Sequence, residues 1–477
     1  MEEVKKYSIV KAVSWYTLGN IIINAASFLM LPIFTRLMSV HDYGVYSTYT
    51  AQMAILQTVL LCGLASTVKM AKYSELDYNA YVTSILLIPF SLTILAGIIV
   101  NIILEVYPEF LGMNKSLWNF MILTVLFLNV NSILSGKLVV DGKYMIFLGF
   151  SIICTFGGIV FSLILCFTVY REHDIYMSRV IGICVATIIA TIYLLFFCGW
   201  GNLKWRYIVQ GWRWGVPLLF HGIAASFMAQ SDRILIQKYD SYSSAGIYNI
   251  AVTMISIPTV IVTSFENAWV PWFYGKLSEK KYDLIARMNN FYISFFAVGI
   301  AFFMLVAPEI IMLFTHSDYW DSVYSLAPLS VSIFAEVLYL IPLNVELYYK
   351  KTKRIAFLTM FAMMFNVVFD IICIVRINYI AAAFVTFIAR FVLFILHWIY
   401  KNKLDNNRIM SPWIVFISSV MLIVLSIVMQ FIRDMVLVRW VLVFLLFVAI
   451  VVYVKQHAVL LLEYLGRKRK YNWLKGK

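Results

Sequence analysis

Apolar runs of about twenty residues alternate with short polar segments along the whole chain, and a helix of that length crosses the hydrocarbon core of a bilayer. The pattern predicts helices near 12–34, 45–67, 80–104, 117–136, 145–169, 177–198, 213–236, 247–270, 289–308, 326–347, 355–376, 379–399, 411–432 and 439–457. The connecting segments are short. The longest, around 308–328, is too small for a domain. The expected fold class is all-α integral membrane, with about fourteen transmembrane helices.

Composition agrees: 62% of the 477 residues are hydrophobic and only 13% are charged, against about 25% charged in soluble domains. The net charge of +14 raises the question of nucleic acid. The basic residues answer it, because they sit in short clusters between apolar runs, as cytoplasmic loops do. With the N-terminus inside, 28 of the 38 lysines and arginines fall in inner segments, nine in outer ones, and Arg390 stays within a helix. That bias predicts cytoplasmic termini on both ends. The basic residues before the first apolar run would suit a signal peptide. The run continues through FLMLPIF and reads instead as an uncleaved first helix. The six cysteines, Cys62, Cys154, Cys166, Cys184, Cys198 and Cys373, lie in or beside apolar runs without metal-ligand spacing. They read as small packing residues, and no metal or cofactor is expected.

An internal echo divides the chain. Sliding the sequence by 202 residues superposes Ser39 on Ser241, Gly44 on Gly246 and Tyr46 on Tyr248, and Arg36 meets Lys238. A parallel repeat about an axis along the membrane normal explains this; chance likeness of two short loops is the alternative. The expected organisation is two pseudo-symmetric six-helix bundles, 1–200 and 201–402, plus two extra C-terminal helices and a basic tail, 403–477.

Ionisable groups at mid-membrane are costly and face cavities or partners. On these boundaries Glu336, Asp370, Arg390 and His221 lie deepest, and Glu266, Asp232 and Lys69 lie nearer the helix ends. The amides Asn20, Asn24, Asn129, Gln230, Asn344 and Asn366 add polarity. Helical spacing gathers stripes: Asn20 with Asn24; His221, Met228 and Asp232; Thr259, Thr263 and Glu266; Asn366 with Asp370. Such faces converge on one wet cavity. Blander readings stand beside this. Single amides pack helices together, Asp370 and Arg390 neutralise each other, and Glu346 pairs with Lys350 at the surface. Asp232 and Arg233 snorkel near an interface, and His221 is balanced between packing and function. Only Glu336 and Arg390 resist such readings as single residues. A planar guanidinium suits pyrophosphate.

LPIFTRLMSVHDYGVY, Leu31 to Tyr46, resembles the first outer loop of the Wzx-type polysaccharide-lipid flippases, in the multidrug/oligosaccharidyl-lipid/polysaccharide exporter superfamily. Pro32, Thr35, Arg36, Leu37, Ser39, Asp42, Tyr43, Gly44 and Tyr46 carry the match. Pro32, Thr35, Arg36, Tyr43 and Gly44 form the outer-loop motif. Pro217, His221, Ser231, Asp232 and Arg233 resemble that family's seventh helix. Residues 365–390 resemble its eleventh-to-twelfth hairpin through Asn366, although Asp370 stands where a second Asn is common and the turn lacks its Pro and Gly. The resemblance implies a flippase moving an undecaprenyl-pyrophosphate-linked oligosaccharide from the inner to the outer leaflet of the cytoplasmic membrane by alternating access. Membrane lipids are partners on that view. It leaves a place for a coupling cation or proton, and for polymerase and chain-length components. A cation-coupled drug exporter and a lipid II flippase are the alternatives on the same fold. The alternative of another class is a membrane polymerase or glycosyltransferase. Against an enzyme, the chain has no Gly-rich phosphate loop, no His/Cys metal cluster, no G-x-S-x-G and no large outer loop. The substrate-binding candidates are Arg390, Glu336, Asp370, His221, Asp232, Arg233, Asn20, Asn24, Glu266 and Lys69.

Overall fold

A computed structural model describes residues 28 to 451, apart from 29, 73, 75–76, 172 and 449–450. Asn20, Asn24, most of the first expected helix and the end of the last lie outside the described residues. What is described is almost wholly helical. A short helix α1 (Leu31–Leu37) leads into α2 (Val40–Leu61), α3 (Leu64–Lys72), α4 (Tyr78–Ile85) and α5 (Leu87–Val106). A two-stranded hairpin, β1 (Glu109–Phe110) and β2 (Met113–Asn114), precedes α6 (Lys115–Val140). Helices α7 (Tyr144–Ile152) and α8 (Gly158–Thr168) are joined by a π turn at Ile153–Gly157, and α9 (Ile175–Phe197) follows. Then come α10 (Trp205–Tyr239), α11 (Tyr242–Ser278), α12 (Tyr282–Phe314), α13 (Ser322–Tyr348), α14 (Thr352–Arg376), α15 (Ile380–Leu404) and α16 (Pro412–Ile432). The shorter α17 spans Val436–Val448.

Helix starts follow the polar residues between apolar runs. Ser39 accepts from the Asp42 amide at 3.0 Å, and Ser241 from the Ser244 amide at 3.0 Å. Asp77 and Asn114 cap α4 and α6 in the same way, each satisfying a donor that the helix itself leaves unpaired. Between α2 and α3 the backbone turns left-handed at Cys62 (φ 51°) and Gly63 (φ 69°), and the two helices meet at 45°. A side chain at Gly63 would also meet the Gly215 carbonyl at 2.7 Å, so the bend and the close approach of α10 both require glycine there.

Among the described residues ten helical spans are long and apolar enough to cross a membrane, with α4–α5 and α7–α8 each counting as one, and the bent pair α2–α3 makes eleven. The expected fourteen is not reached among the described residues, for three identifiable reasons. The first expected span lies largely outside them. Helix α17 is described for only part of its expected length. Helix α10 is long enough, but Arg213, His221, Gln230, Asp232 and Arg233 interrupt its apolar surface. It is nonetheless packed among α2, α11 and α14; Asp232 is buried there, whereas Arg213 and His221 are exposed. The chain is a multi-pass membrane protein.

Packing separates two regions. Within Val40–Phe197 lie two small apolar clusters, one around Tyr49, Trp118 and Met121, the other around Tyr81 and Leu134, which Tyr207 of α10 joins. From Ile236 onward one continuous core runs through α11, α12, α13 and α15. Helix α16 packs on α12 and α13. The regions meet where α2 lies along α11 and α10.

Candidate functional site

The crossing of α2 and α11 is as close as a backbone allows. A Cβ on Gly44 would fall 1.8 Å from the Tyr242 carbonyl oxygen, and one on Gly246 2.6 Å from the Val40 carbonyl oxygen. Positions 40 and 242, like 44 and 246, are separated by 202 residues, so each glycine faces the counterpart of the other's partner. Ser47 Oγ reaches the Ala245 carbonyl at 3.5 Å across the same seam. The neighbouring residues reinforce it. Tyr319 donates to the Ser39 carbonyl at 3.1 Å, and the Asn249 amide donates to Tyr43 at 3.3 Å. The Arg179 guanidinium donates to Tyr46 at 2.9 Å and lies 4.2 Å over the Phe34 ring. Of the motif residues, Pro32 starts α1, Thr35 and Arg36 bond back to the Leu31 and Pro32 carbonyls at 2.8 Å, and Tyr43 and Gly44 build the seam.

Away from this seam the two helices part. On α2 the residues from Tyr43 to Gln52 are mostly buried, whereas Met53 to Val59 are half-buried. On α11, Thr263, Ser264 and Asn267 are exposed. The two hydroxyls bond back to the Val260 carbonyl at 3.1 and 2.7 Å, and the Asn267 amide stands beside them near the middle of a 37-residue helix.

A cavity of about 310 Å³ opens beside α10, α13, α14 and α15, lined among others by His221, Met228, Glu336, Tyr339, Thr359 and Arg390. Arg390 Nη1 lies 2.5 Å from Glu336 Oε2, and the two side chains are 20% and 30% exposed. The ion pair is thus presented to the cavity, and an incoming anion can compete for the guanidinium. Glu266, on α11, accepts from Asn344 at 2.5 Å and lies within electrostatic range of Glu336.

Asp370 does not meet Arg390, contrary to the neutralising pair suggested by their consecutive helices. It is fully buried, its carboxylate lies against that of Asp232, and neither of its oxygens has a hydrogen-bond donor. Asp232 accepts from Thr386 at 2.7 Å and from Tyr248. Asn366, one turn from Asp370, has both side-chain polar atoms unpartnered. Nor do Asp232 and Arg233 snorkel to an interface. Asp232 is 7% exposed, and Arg233 donates to Asn249 at 2.8 Å and to Gln230. These side chains point between helices, a direction that residue spacing along one helix does not reveal. Lys69 is exposed near the end of α3, apart from this group.

Three buried charges escaped the sequence reading. Glu346 is no surface partner of Lys350: it is fully buried, 2.9 Å from His397 Nδ1, itself fully buried. Arg439, at the start of the last expected helix, is buried and paired at 2.5 Å with Glu309 of α12. Lys137 is buried and donates to Asn79 at 2.6 Å and to the Gly199 carbonyl at 2.5 Å. The available signal was a charged residue at each end of an apolar span; only packing shows which turn inward. The six cysteines are free.

Residues 9–275 match the sequence profile of the polysaccharide biosynthesis protein family. The chain belongs to that family. Among curated proteins, protein 1 of the Lsg locus of Haemophilus influenzae is 22% identical over 355 residues, covering 72% of this chain and 85% of the relative. An uncharacterized membrane protein of the same organism is 21% identical over 367 residues, covering 75% of this chain and 88% of its own. Among solved structures, the lipid II flippase MurJ in an inward closed conformation superposes with a TM-score of 0.65 at 16% identity, covering 90% of this chain and 98% of MurJ. An inward-facing multidrug resistance MATE transporter of the MOP superfamily gives a TM-score of 0.62 at 12% identity, covering 82% and 97%. This member of the polysaccharide biosynthesis family therefore has the fold of MOP-superfamily transporters.

Proposed function

We propose that the chain flips an undecaprenyl-pyrophosphate-linked oligosaccharide from the inner to the outer leaflet of the cytoplasmic membrane by alternating access, supplying cell-surface polysaccharide synthesis. The observation that carries this reading is the Arg390–Glu336 pair, a mid-bundle guanidinium presented to a cavity between helices in a member of a polysaccharide biosynthesis family. The pyrophosphate displaces Glu336 from Arg390, and the sugars extend into a lumen beside Thr263, Ser264 and Asn267. The glycine seam is the outer closure. On the basic-residue bias it faces outward and both termini lie in the cytoplasm. Two halves, 1–200 and 201–402, with 403–477 on the rim, are the moving parts, and the 202-residue correspondence at the seam supports them. A cationic drug as cargo is disfavoured, because it would meet Arg390 in the cavity.

The Asp232–Asp370 contact supports the coupling cation or proton. Two facing buried carboxylates without donors to both stay ionised together only with a small cation between them, and otherwise share a proton.

The experiment is surface glycan measured against protein abundance. Arg390→Ala is expected to abolish export at normal protein level, and Arg390→Lys to restore part of it, because an ammonium lacks the bidentate fork. If the pair is only structural, Arg390→Ala/Glu336→Ala recovers export, which would refute the reading.

A further inference from the structure

We propose that Glu346 and His397 form a proton-binding site that takes up a proton when an anion occupies Arg390. The proposal rests on the anion reading of Arg390 given above and deepens it.

Two acid–base bridges join the same helices, α13 and α15. Glu336 meets Arg390 at the cavity, and Glu346 meets His397 at 2.9 Å further along. Arg390 and His397 are seven residues apart on one face of α15, about 10 Å along the axis. Between the bridges lies Tyr339, which lines the cavity and sets its ring edge against His397 with centroids 4.9 Å apart. Beyond them, the Glu346 carbonyl already accepts the Lys351 amide of the next turn, where α13 ends and exposed residues begin. The second bridge thus lies between cavity and surface. His397 Nε2 and Glu346 Oε2 are both buried without partners. A purely structural bridge gains nothing from such orphans; an imidazole and a carboxylate that change their proton count need a free position on each.

Titratable and charged groups stand on the helices packed around the bridge. His221 of α10 lies within electrostatic range of His397. From α11 come Glu266 and Tyr274, which bond Asn344. On α12 stand Tyr292, Asp283 and Arg287, and on α14 Thr359, beside Tyr339, and Arg354. On their own helices are Glu336, Tyr339, Arg390 and Lys401, and α16 carries no charged residue. With one proton between them, Glu346 and His397 are jointly neutral. An anion at Arg390 adds negative charge nearby. The bridge then accepts one proton from the aqueous phase, becoming an imidazolium beside a neutral carboxylic acid, and returns it when the anion leaves.

The test uses inorganic pyrophosphate and the full-length protein in nanodiscs. Calorimetry in buffers of different ionisation enthalpy counts protons, after subtraction of the ligand's own. The expected result is uptake of about one proton per bound pyrophosphate. His397→Gln removes that uptake and, because the proton and the anion strengthen each other's binding, weakens pyrophosphate by about tenfold. Binding without uptake, or uptake retained in His397→Gln, overturns the proposal. Should pyrophosphate not bind at all, the anion reading fails. The proton site is then judged by itself, in a chain whose other five histidines are glutamine. Its 15N spectrum should pass between imidazolium and neutral forms from about pH 5 to about pH 9 and change with Glu346→Gln. A spectrum fixed across that range overturns the site, including where His397→Gln does not fold.

Discussion

Between Val40 and Phe197 the polar groups buried at mid-helix are neutral. Asn129 reaches Thr93, Asn131 reaches the Thr187 carbonyl, and Thr124 and Thr191 bond within their own helices. Among the described residues the one fully buried charge there, Lys137, sits near a helix end on two oxygen acceptors. Between Trp205 and Leu404 neutral groups such as Asn289, Asn344 and Asn366 are buried too, but charged or titratable ones join them: Asp232, Glu346, Asp370, His397 and Lys401, with Glu336 and Arg390 at the cavity. Neutral contacts between membrane helices contribute about 0.6 kcal/mol each, so a wall built from them slides or separates at little cost. Buried charges hold a helix group together only in particular pairings and break at several kcal/mol. On the proposed function, the first region moves and the second binds. The divided apolar clusters of the first and the continuous core of the second agree with that division.

The largest effect is expected where the regions touch. Gly44→Val drives a side chain into the Tyr242 carbonyl, a backbone atom that cannot rotate away, at more than the usual ~1–3 kcal/mol of overpacking. Export should be lost and thermal stability lowered, with Gly246→Val close behind. Gly136→Ala, whose nearest neighbour would be 3.7 Å away, serves as a neutral control. Normal export from Gly44→Val would break the comparison at its seam.

Next comes the acidic pair. Asp370→Asn should leave the protein at least as stable, because one of two facing carboxylates is gone. It should also lower transport in vesicles by about tenfold, ~1.4 kcal/mol in barrier, and abolish acceleration by an imposed ion or proton gradient. A variant that still responds to the gradient separates Asp370 from coupling. In the neutral region, Asn131→Ala should cost only ~0.6 kcal/mol and leave export within about twofold; a severe loss there would mean that this wall also binds.

The smallest effect lies outside the membrane. Lys276 and then Lys281 pull the Glu279 carboxyl down to about 2. A lowered carboxyl stabilises the fold above its ordinary titration range, and that stabilisation fades as pH falls toward about 2. The side chain is fully exposed, so screening leaves little to lose. Glu279→Gln should match the parent in thermal unfolding at neutral pH, and a clear loss would assign the α11–α12 turn a structural role.

Helix positions were legible because lipid imposes length and apolarity on every span. Helix α10 shows the limit of that rule: Asp232 and Arg233 are tolerated since protein, not lipid, surrounds them, and His221 since it lines the cavity. The 202-residue echo pointed to Gly44 and Gly246, yet their mutual approach is a matter of helix crossing that one sequence does not encode locally. Arg390 and Glu336 stood out by depth alone, and their contact followed. The misplacement of Asp370 and Glu346 has one cause. Sequence spacing tells which residues share a face of one helix, while partner choice depends on the rotation of the next helix. Asp370 turned toward Asp232 on α10, and Glu346 toward His397 on α15, although Arg390 and Lys350 were nearer along the chain.

The most direct measurement is flipping itself. Purified protein is reconstituted with a fluorescent undecaprenyl-pyrophosphate oligosaccharide, and the fraction reaching the outer leaflet is read by membrane-impermeant quenching. The account predicts that wild type translocates the lipid, that Arg390→Ala does so no faster than protein-free vesicles, and that Arg390→Lys falls between. Translocation by Arg390→Ala at the wild-type rate would contradict it.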